Sequence, residues 1–133
     1  KITTMAQLTS TLTLASTTVS SDALSFSVTD TANVTAPSEN ISRITIDTTG
    51  GNNIILPSVN ATRYVYIKHL GLNSAGGVSS DQIKVETADG TEIIRISKDE
   101  FAFFPHHAGG AGLLQLEATS GTIQVEYAYY TRS

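Results

Sequence analysis

The sequence predicts an all-β chain: a single-domain antiparallel β-sandwich or jelly roll of about nine or ten short strands with minimal helix. Three observations carry that expectation. Short segments alternate apolar and polar residues, the period-2 pattern of half-buried strands. The closing stretch is the clearest, with Ile123, Val125, Tyr127 and Tyr129 on one face and Gln124, Glu126, Ala128 and Tyr130 on the other. Turn-forming clusters recur about every ten residues, and apolar residues recur at helical spacing nowhere over a long window. Only Ser97-Lys98-Asp99-Glu100 suits a single helical turn.

The elements follow in order. Leu8, Leu12 and Leu14 share one face of a first strand, interrupted by Ser10, with threonines on the other face. A Ser/Thr-rich turn from Ser16 to Asp22 leads into a second strand with Leu24, Phe26 and Val28 alternating with small polar residues. A shorter extended piece, 32–36, is expected to stop at Pro37, which cannot donate to a ladder. Ile44 and Ile46 mark the next strand, the Gly/Asn cluster 49–53 turns the chain, and a short strand ends at Pro57. Residues 63–70 carry apolar or aromatic side chains on both faces, which predicts a central strand covered on both sides. The Gly/Ser-rich segment 71–80 predicts a mobile loop.

Asp89-Gly90, between alternating runs at 84–88 and 91–96, predicts a hairpin with a type I′ turn. Phe101 to Pro105 is a further extended run expected to end at the proline. Phe101 and Phe103 are expected in the core beside Tyr127 or Tyr129, with Phe104 pointing elsewhere, to a subunit contact or sheet edge. The segments 113–118 and 122–131, flanking Thr119-Ser120-Gly121, predict a second hairpin.

A length of 133 residues suits one core, and residues 15–133 are expected to form it, with 1–14 as an amino-terminal arm or first strand. Cysteine is absent, which removes disulfides, thiolate metal sites and a cysteine nucleophile together. A net charge of −4 with scattered basic residues argues against nucleic acid as a partner. No apolar run approaches the ~20 residues of a membrane span, and no secretory signal opens the chain, so no membrane partner is expected. Serine and threonine make up about a quarter of the residues, which favours extended structure with hydroxyl-covered faces.

Chemical constellations are sparse. His106 and His107 are adjacent, so on an extended backbone they point to opposite sides, and His69 is remote in sequence. Asp99 and Glu100 are adjacent too and read as a solvated turn. Serines and histidines are present, but no nucleophile-elbow pattern assembles them. Gly109-Gly110-Ala111-Gly112 lacks the Lys-Ser/Thr and the helix of a phosphate cradle. The expectation is a non-enzymatic protein with no catalytic residue, metal or cofactor.

Several stretches resemble small virion structural proteins of tailed bacteriophages, cyanophages in particular: Met5 to Leu14, Ser21 to Asp30, Tyr64 to Lys68, Glu100 to Pro105 and Val125 to Tyr129. The resemblance implies a virion component, foremost a capsid decoration (cement) protein on the capsid surface. Its partners would be the major capsid protein or other virion subunits and further copies of itself, a trimer among the options. A tail, fibre or neck component and a carbohydrate-binding sandwich with exposed Tyr64, Tyr66 or Tyr130 are the alternatives. Leu8, Leu12, Leu14, Phe104, Pro105, His106 and His107 are the residues expected at subunit contacts.

Overall fold

The computed structural model describes residues 4–36, 41–57, 60–108 and 112–133. Among them are ten strands, one 3-10 turn at Gly50–Asn52 and only antiparallel pairing. The chain forms two compact units, Lys1–Pro37 with Arg132–Ser133, and Ser38–Thr131. This division falls near residue 37, whereas the sequence predicts an arm at 1–14 apart from a sandwich at 15–133.

The first unit is a long hairpin. Strands β1 (Thr4–Ser16) and β2 (Leu24–Ala36) pair over their full length, from Thr4 opposite Ala36 to Ser16 opposite Leu24. The piece at 32–36 is continuous with β2, and Pro37 lies outside the described residues. At the base, Val34 bridges Arg132, and Ser133 N–H donates to Asn33 O at 3.1 Å. The strand beginning at Leu24, expected in the sandwich, belongs to this hairpin because its register partner is β1.

The second unit is an eight-stranded β-sandwich. Its strands are β3 (Ser42–Ile46), β4 (Ile54–Leu56), β5 (Ala61–His69), β6 (Ile83–Glu86), β7 (Glu92–Ile96), β8 (Phe101–Ala108), β9 (Leu114–Ala118) and β10 (Ile123–Thr131). One sheet has the order β3-β10-β5-β8, the other β4-β9-β6-β7. Their inner faces meet in a core of Ile46, Leu56, Val65, Ile67, Ile83, Val85, Leu114, Leu116, Ile123 and Val125, all without solvent exposure. Consecutive strands mostly change sheets, so the first strand of the sandwich pairs with the eighth, the second with the seventh, the third with the sixth and the fourth with the fifth.

This exchange overturns the second expected hairpin. The turn Thr119-Ser120-Gly121 carries the chain from β9 in one sheet to β10 in the other, because β9 pairs with β6 and β10 with β5 and β3. The first hairpin stands, between β6 and β7, but its turn differs. Asp89 keeps a negative φ and only Gly90 turns left-handed, at φ 84°. Gly90 N–H donates to Thr87 O and Thr87 N–H to Thr91 O, both at 3.0 Å, the pattern of a three-residue loop with a glycine bulge. The Thr87 hydroxyl and the Thr91 N–H hold the Asp89 carboxyl down at about 2.

Strand β8 passes through Pro105 instead of ending there. It is an edge strand, so the missing N–H falls where no neighbour needs it. The register of Phe104 opposite Val65 and Ala102 opposite Ile67 turns Ala102 and Phe104 to the core, and leaves Phe101 and Phe103 61% and 41% exposed. The expected placement of the phenylalanines is thus inverted, while Tyr127 and Tyr129 do pack against the core. In β5, Val65 and Ile67 are buried and Tyr64, Tyr66 and Lys68 are half-buried, so its outer face is covered in part only.

The segment 71–80 is tied down by its own polar groups. Asn73 Oδ1 accepts from Ala75 and Gly77 N–H, each at 3.0 Å, Ser79 N–H donates to Gly71 O, and Leu72 bridges Val78. The 3-10 turn lies against the outer face of the β4-β9-β6-β7 sheet. A Cβ on Gly50 would stand 2.7 Å from Gln115 Nε2 and 2.9 Å from Glu86 Oε1, two nearly buried side chains that cannot retreat into water. A Cβ on Gly51 would meet nothing within 4 Å. Gly50→Ala is therefore expected to cost about 1–2 kcal/mol and Gly51→Ala less than about 0.5 kcal/mol in urea unfolding. Equal effects would contradict the close approach.

Candidate functional site

Two surfaces and one buried cluster gather the residues of functional interest. On the hairpin, cross-strand pairs sort by chemistry. One face reads Leu8 with Ala32, Ser10 with Asp30, Leu12 with Val28, and Leu14 with Phe26, ending at Ser16 with Leu24. Leu12, Leu14, Leu24, Phe26 and Val28 are 38–49% exposed there. The opposite face is a hydroxyl ladder: Thr9 with Thr31 at 3.1 Å, Thr11 with Thr29 at 2.9 Å and Thr13 with Ser27 at 3.4 Å. Such pairs are each worth a few tenths of a kcal/mol to about 1 kcal/mol. Water satisfies that face, whereas the apolar face of a two-stranded ribbon has no second layer of its own, and such ribbons are marginal alone.

The outer face of the β3-β10-β5-β8 sheet is an aromatic platform. Register places Tyr130, Tyr64 and Pro105 side by side, and next to them Ala128, Tyr66 and Phe103, then Glu126, Lys68 and Phe101. The Tyr64 and Phe103 rings are nearly parallel, 11° apart in plane with centroids 6.3 Å apart. Tyr66 donates its hydroxyl to Glu126 Oε1 at 2.9 Å, and Arg43 Nε reaches Glu126 Oε2 at 3.1 Å. These two donors hold the Glu126 carboxyl below its usual range, the Tyr66 hydroxyl contributing most.

Desolvation first, and the Glu126 bond second, push Tyr66 up to about 12. The folded state therefore keeps its phenolic proton where an unfolded tyrosine, at about 10, has lost it. The corresponding stability is present below pH ~10 and is lost as pH rises through about 12. An absorbance titration should show a tyrosine step near pH 12, and Tyr66→Phe should remove that step. A titration curve unchanged by Tyr66→Phe above pH ~11 would contradict the bond.

His69 has no solvent exposure. Gly71 N–H donates to its Nδ1 at 2.9 Å, so the proton resides on Nε2, which donates to Asp81 O at 2.8 Å. Both nitrogens are consumed by backbone. His107 Nδ1 pairs with Thr62 Oγ1 at 2.8 Å, and His106 Nε2 lies 3.3 Å from Gly112 O. Among the described residues no histidine nitrogen hydrogen-bonds a serine or a carboxylate, and no three metal-ligating side chains cluster. Also among them, no helix is long and apolar enough to cross a membrane.

The residues expected at subunit contacts fall in different places. Leu8, Leu12 and Leu14 share the hairpin face, with Leu8 half-buried. Phe104 packs against the sandwich core and meets the His106 ring edge-on at 6.5 Å, and both are half-buried. Pro105 and His107 are exposed on the outer face with Phe101 and Phe103. The aromatic platform was missed in the sequence beyond Tyr64, Tyr66 and Tyr130, because the side to which Phe101 and Phe103 point depends on pairing with β5. The buried role of His69 was missed as well, and its position at the end of an alternating strand, in step with Val65 and Ile67, was the available signal. No protein-family model matches the chain, and no curated protein matches it with significant similarity.

Proposed function

We propose that the chain is a non-enzymatic structural protein of a tailed-bacteriophage virion, a capsid decoration (cement) protein that binds neighbouring capsid subunits from outside and stabilises them. The observation that carries this reading is the hairpin. It forms a compact unit with one exposed apolar face and one hydroxyl face, a design that serves association and offers no chemistry. The strand pairing of the sandwich, read as a jelly roll, belongs to an architecture used by capsid and lectin domains, though a fold by itself does not choose a function. In this reading the chain acts as a homo-oligomer on the capsid surface, with the major capsid protein as partner and with neither nucleic acid nor membrane.

Each half-exposed leucine or phenylalanine covered on assembly contributes up to about 1.5–3 kcal/mol before the cost of association is subtracted. The test is co-sedimentation with capsids stripped of their decoration protein. The intact chain should bind, and Leu14→Asp with Phe26→Asp should bind at least about tenfold more weakly, through lost contact and lost avidity. Sedimentation with tails alone would replace the capsid reading with a tail, fibre or neck role.

A second reading has its own observation, the flat Tyr64–Phe103 pair beside hydroxyl and carboxylate groups on the outer sheet face. Aromatic planes of this kind stack on the apolar faces of sugars, so the surface suits a carbohydrate. Saturable binding of a bacterial polysaccharide that is lost in Tyr64→Ala, without any capsid binding, would favour this alternative.

A further inference from the structure

We propose that the apolar half of the hairpin face is covered by the same face of a second copy of this chain, the two ribbons packing antiparallel about a two-fold axis. The proposal rests on the assembly reading above and names the occupant of that face.

The exposed apolar residues decide between edge and face. Leu12, Leu14, Leu24, Phe26 and Val28 all lie on one face, between the Ser10–Asp30 pair and the Ser16–Leu24 end. A strand added at a ribbon edge would leave all five in water. A second ribbon laid on the face, at the ~10 Å spacing of stacked sheets, covers them together. It also leaves the two threonine ladders outward, where water satisfies them.

Charge decides the direction. Asp30 is the sole charged residue in the pairs from Leu8–Ala32 to Ser16–Leu24, and it stands at the boundary of the apolar patch, while Arg132, bridged to Val34 on the same face, lies two pairs further from the patch. Parallel packing would bring the two Asp30 carboxylates to the same level. Antiparallel packing, with the axis across the ribbon between the Leu14–Phe26 and Leu12–Val28 pairs, separates them by three steps of two residues, about 20 Å, beyond the ~8 Å screening length. Each then lies at the rim, beside the Ser16–Leu24 level of the second copy. Ser16 Oγ accepts from Thr18 and Val19 N–H, both at 3.2 Å, and so keeps its own proton to donate. Phe26 and Leu14 fall over Val28 and Leu12, giving an apolar centre with a polar rim.

Size fits a modest dimer. From their exposures the five residues offer roughly 450 Å² per copy, the size of the largest apolar patch on a typical monomer, which often serves binding. Two copies with their flanking residues reach about 1,000 Å², the lower limit of a specific interface. The dimer should therefore depend on concentration.

The test uses the full chain, which contains no cysteine and so gives a clean background for single-cysteine probes. Light scattering should give twice 14.1 kDa at high concentration and a shift to one copy on dilution. Phe26→Asp should weaken the dimer at least tenfold. Since that variant could also disturb the hairpin, Val28→Cys and Thr29→Cys supply an independent arm. A short bismaleimide should link two copies of Val28→Cys, next to the axis, far faster than two of Thr29→Cys on the hydroxyl face. A single-copy mass at every concentration, a three-copy mass, or equal cross-linking at the two positions would overturn the proposal. A monomer that still binds capsids would overturn this inference and the homo-oligomer part of the reading above, and leave its capsid-binding part intact. A dimer that binds no particle would do the reverse.

Discussion

Replacing His69 with leucine is expected to lower the free energy of unfolding by about 3 kcal/mol. The ring is fully buried at the end of β5, with Nδ1 accepting from Gly71 N–H and Nε2 donating to Asp81 O. Leucine has a comparable volume and fills the site, so little of the effect comes from a cavity. It comes from the buried Gly71 N–H and the partly buried Asp81 carbonyl left without their partner, the buried group alone costing about 1–3 kcal/mol. The Gly71 backbone has little freedom to seek water. Its φ is 77°, and an added Cβ would stand 2.6 Å from Asp99 Oδ1, so the turn is closely packed on the 97–100 loop. Asp99 is itself left-handed at φ 67°, an uncommon conformation for a residue with a side chain. Urea unfolding followed by circular dichroism measures the loss, and a change below about 1 kcal/mol would contradict the assigned hydrogen bonds.

The second large effect separates Phe104 from its neighbours. Phe104 packs between Val65 and the His106 ring on the inner face, so Phe104→Ala should cost about 2–3 kcal/mol, the low end for aromatic truncation because the ring is only half-buried. Phe103→Ala and Phe101→Ala remove side chains that are 41% and 61% exposed and should each cost less than about 1 kcal/mol. The ordering is the informative part. If Phe103→Ala proved the most damaging, β8 would face the other way and the aromatic platform would vanish with it.

Period-2 alternation made the strands legible, and its success has a physical basis. Where one face is buried by a second sheet, as at Ile123 and Val125, the pattern and the burial coincide, and further along the strand Tyr127 and Tyr129 pack partly buried against the same core. Partner choice is non-local, which is why Thr119-Ser120-Gly121 resembled a hairpin turn although β9 and β10 lie in different sheets. The facing of β8 was illegible for a related reason. Phe101-Ala102-Phe103-Phe104 places aromatics on both faces, and counting them favours Phe101 and Phe103 inward, whereas register with Val65 and Ile67 decides the matter. Pro105 punctuates most strands but not an edge strand, and edge position is invisible before the sheet order is known.

The hairpin was legible as two strands and a turn, since Leu8, Leu12 and Leu14 on one side and Leu24, Phe26 and Val28 on the other alternate cleanly. Its separation from the sandwich was not legible, because an apolar face looks the same in sequence whether its cover comes from the same chain or from another. That difference is what turns a packing pattern into a candidate binding surface.

The position of the chain in an intact particle tests the central claim most directly. Cryo-electron microscopy of phage particles that carry this protein should show the sandwich at the outer capsid surface, in contact with neighbouring capsid subunits, and the Leu12, Leu14, Phe26 and Val28 face of each hairpin covered by protein. Density for the chain confined to the tail would contradict the capsid decoration account.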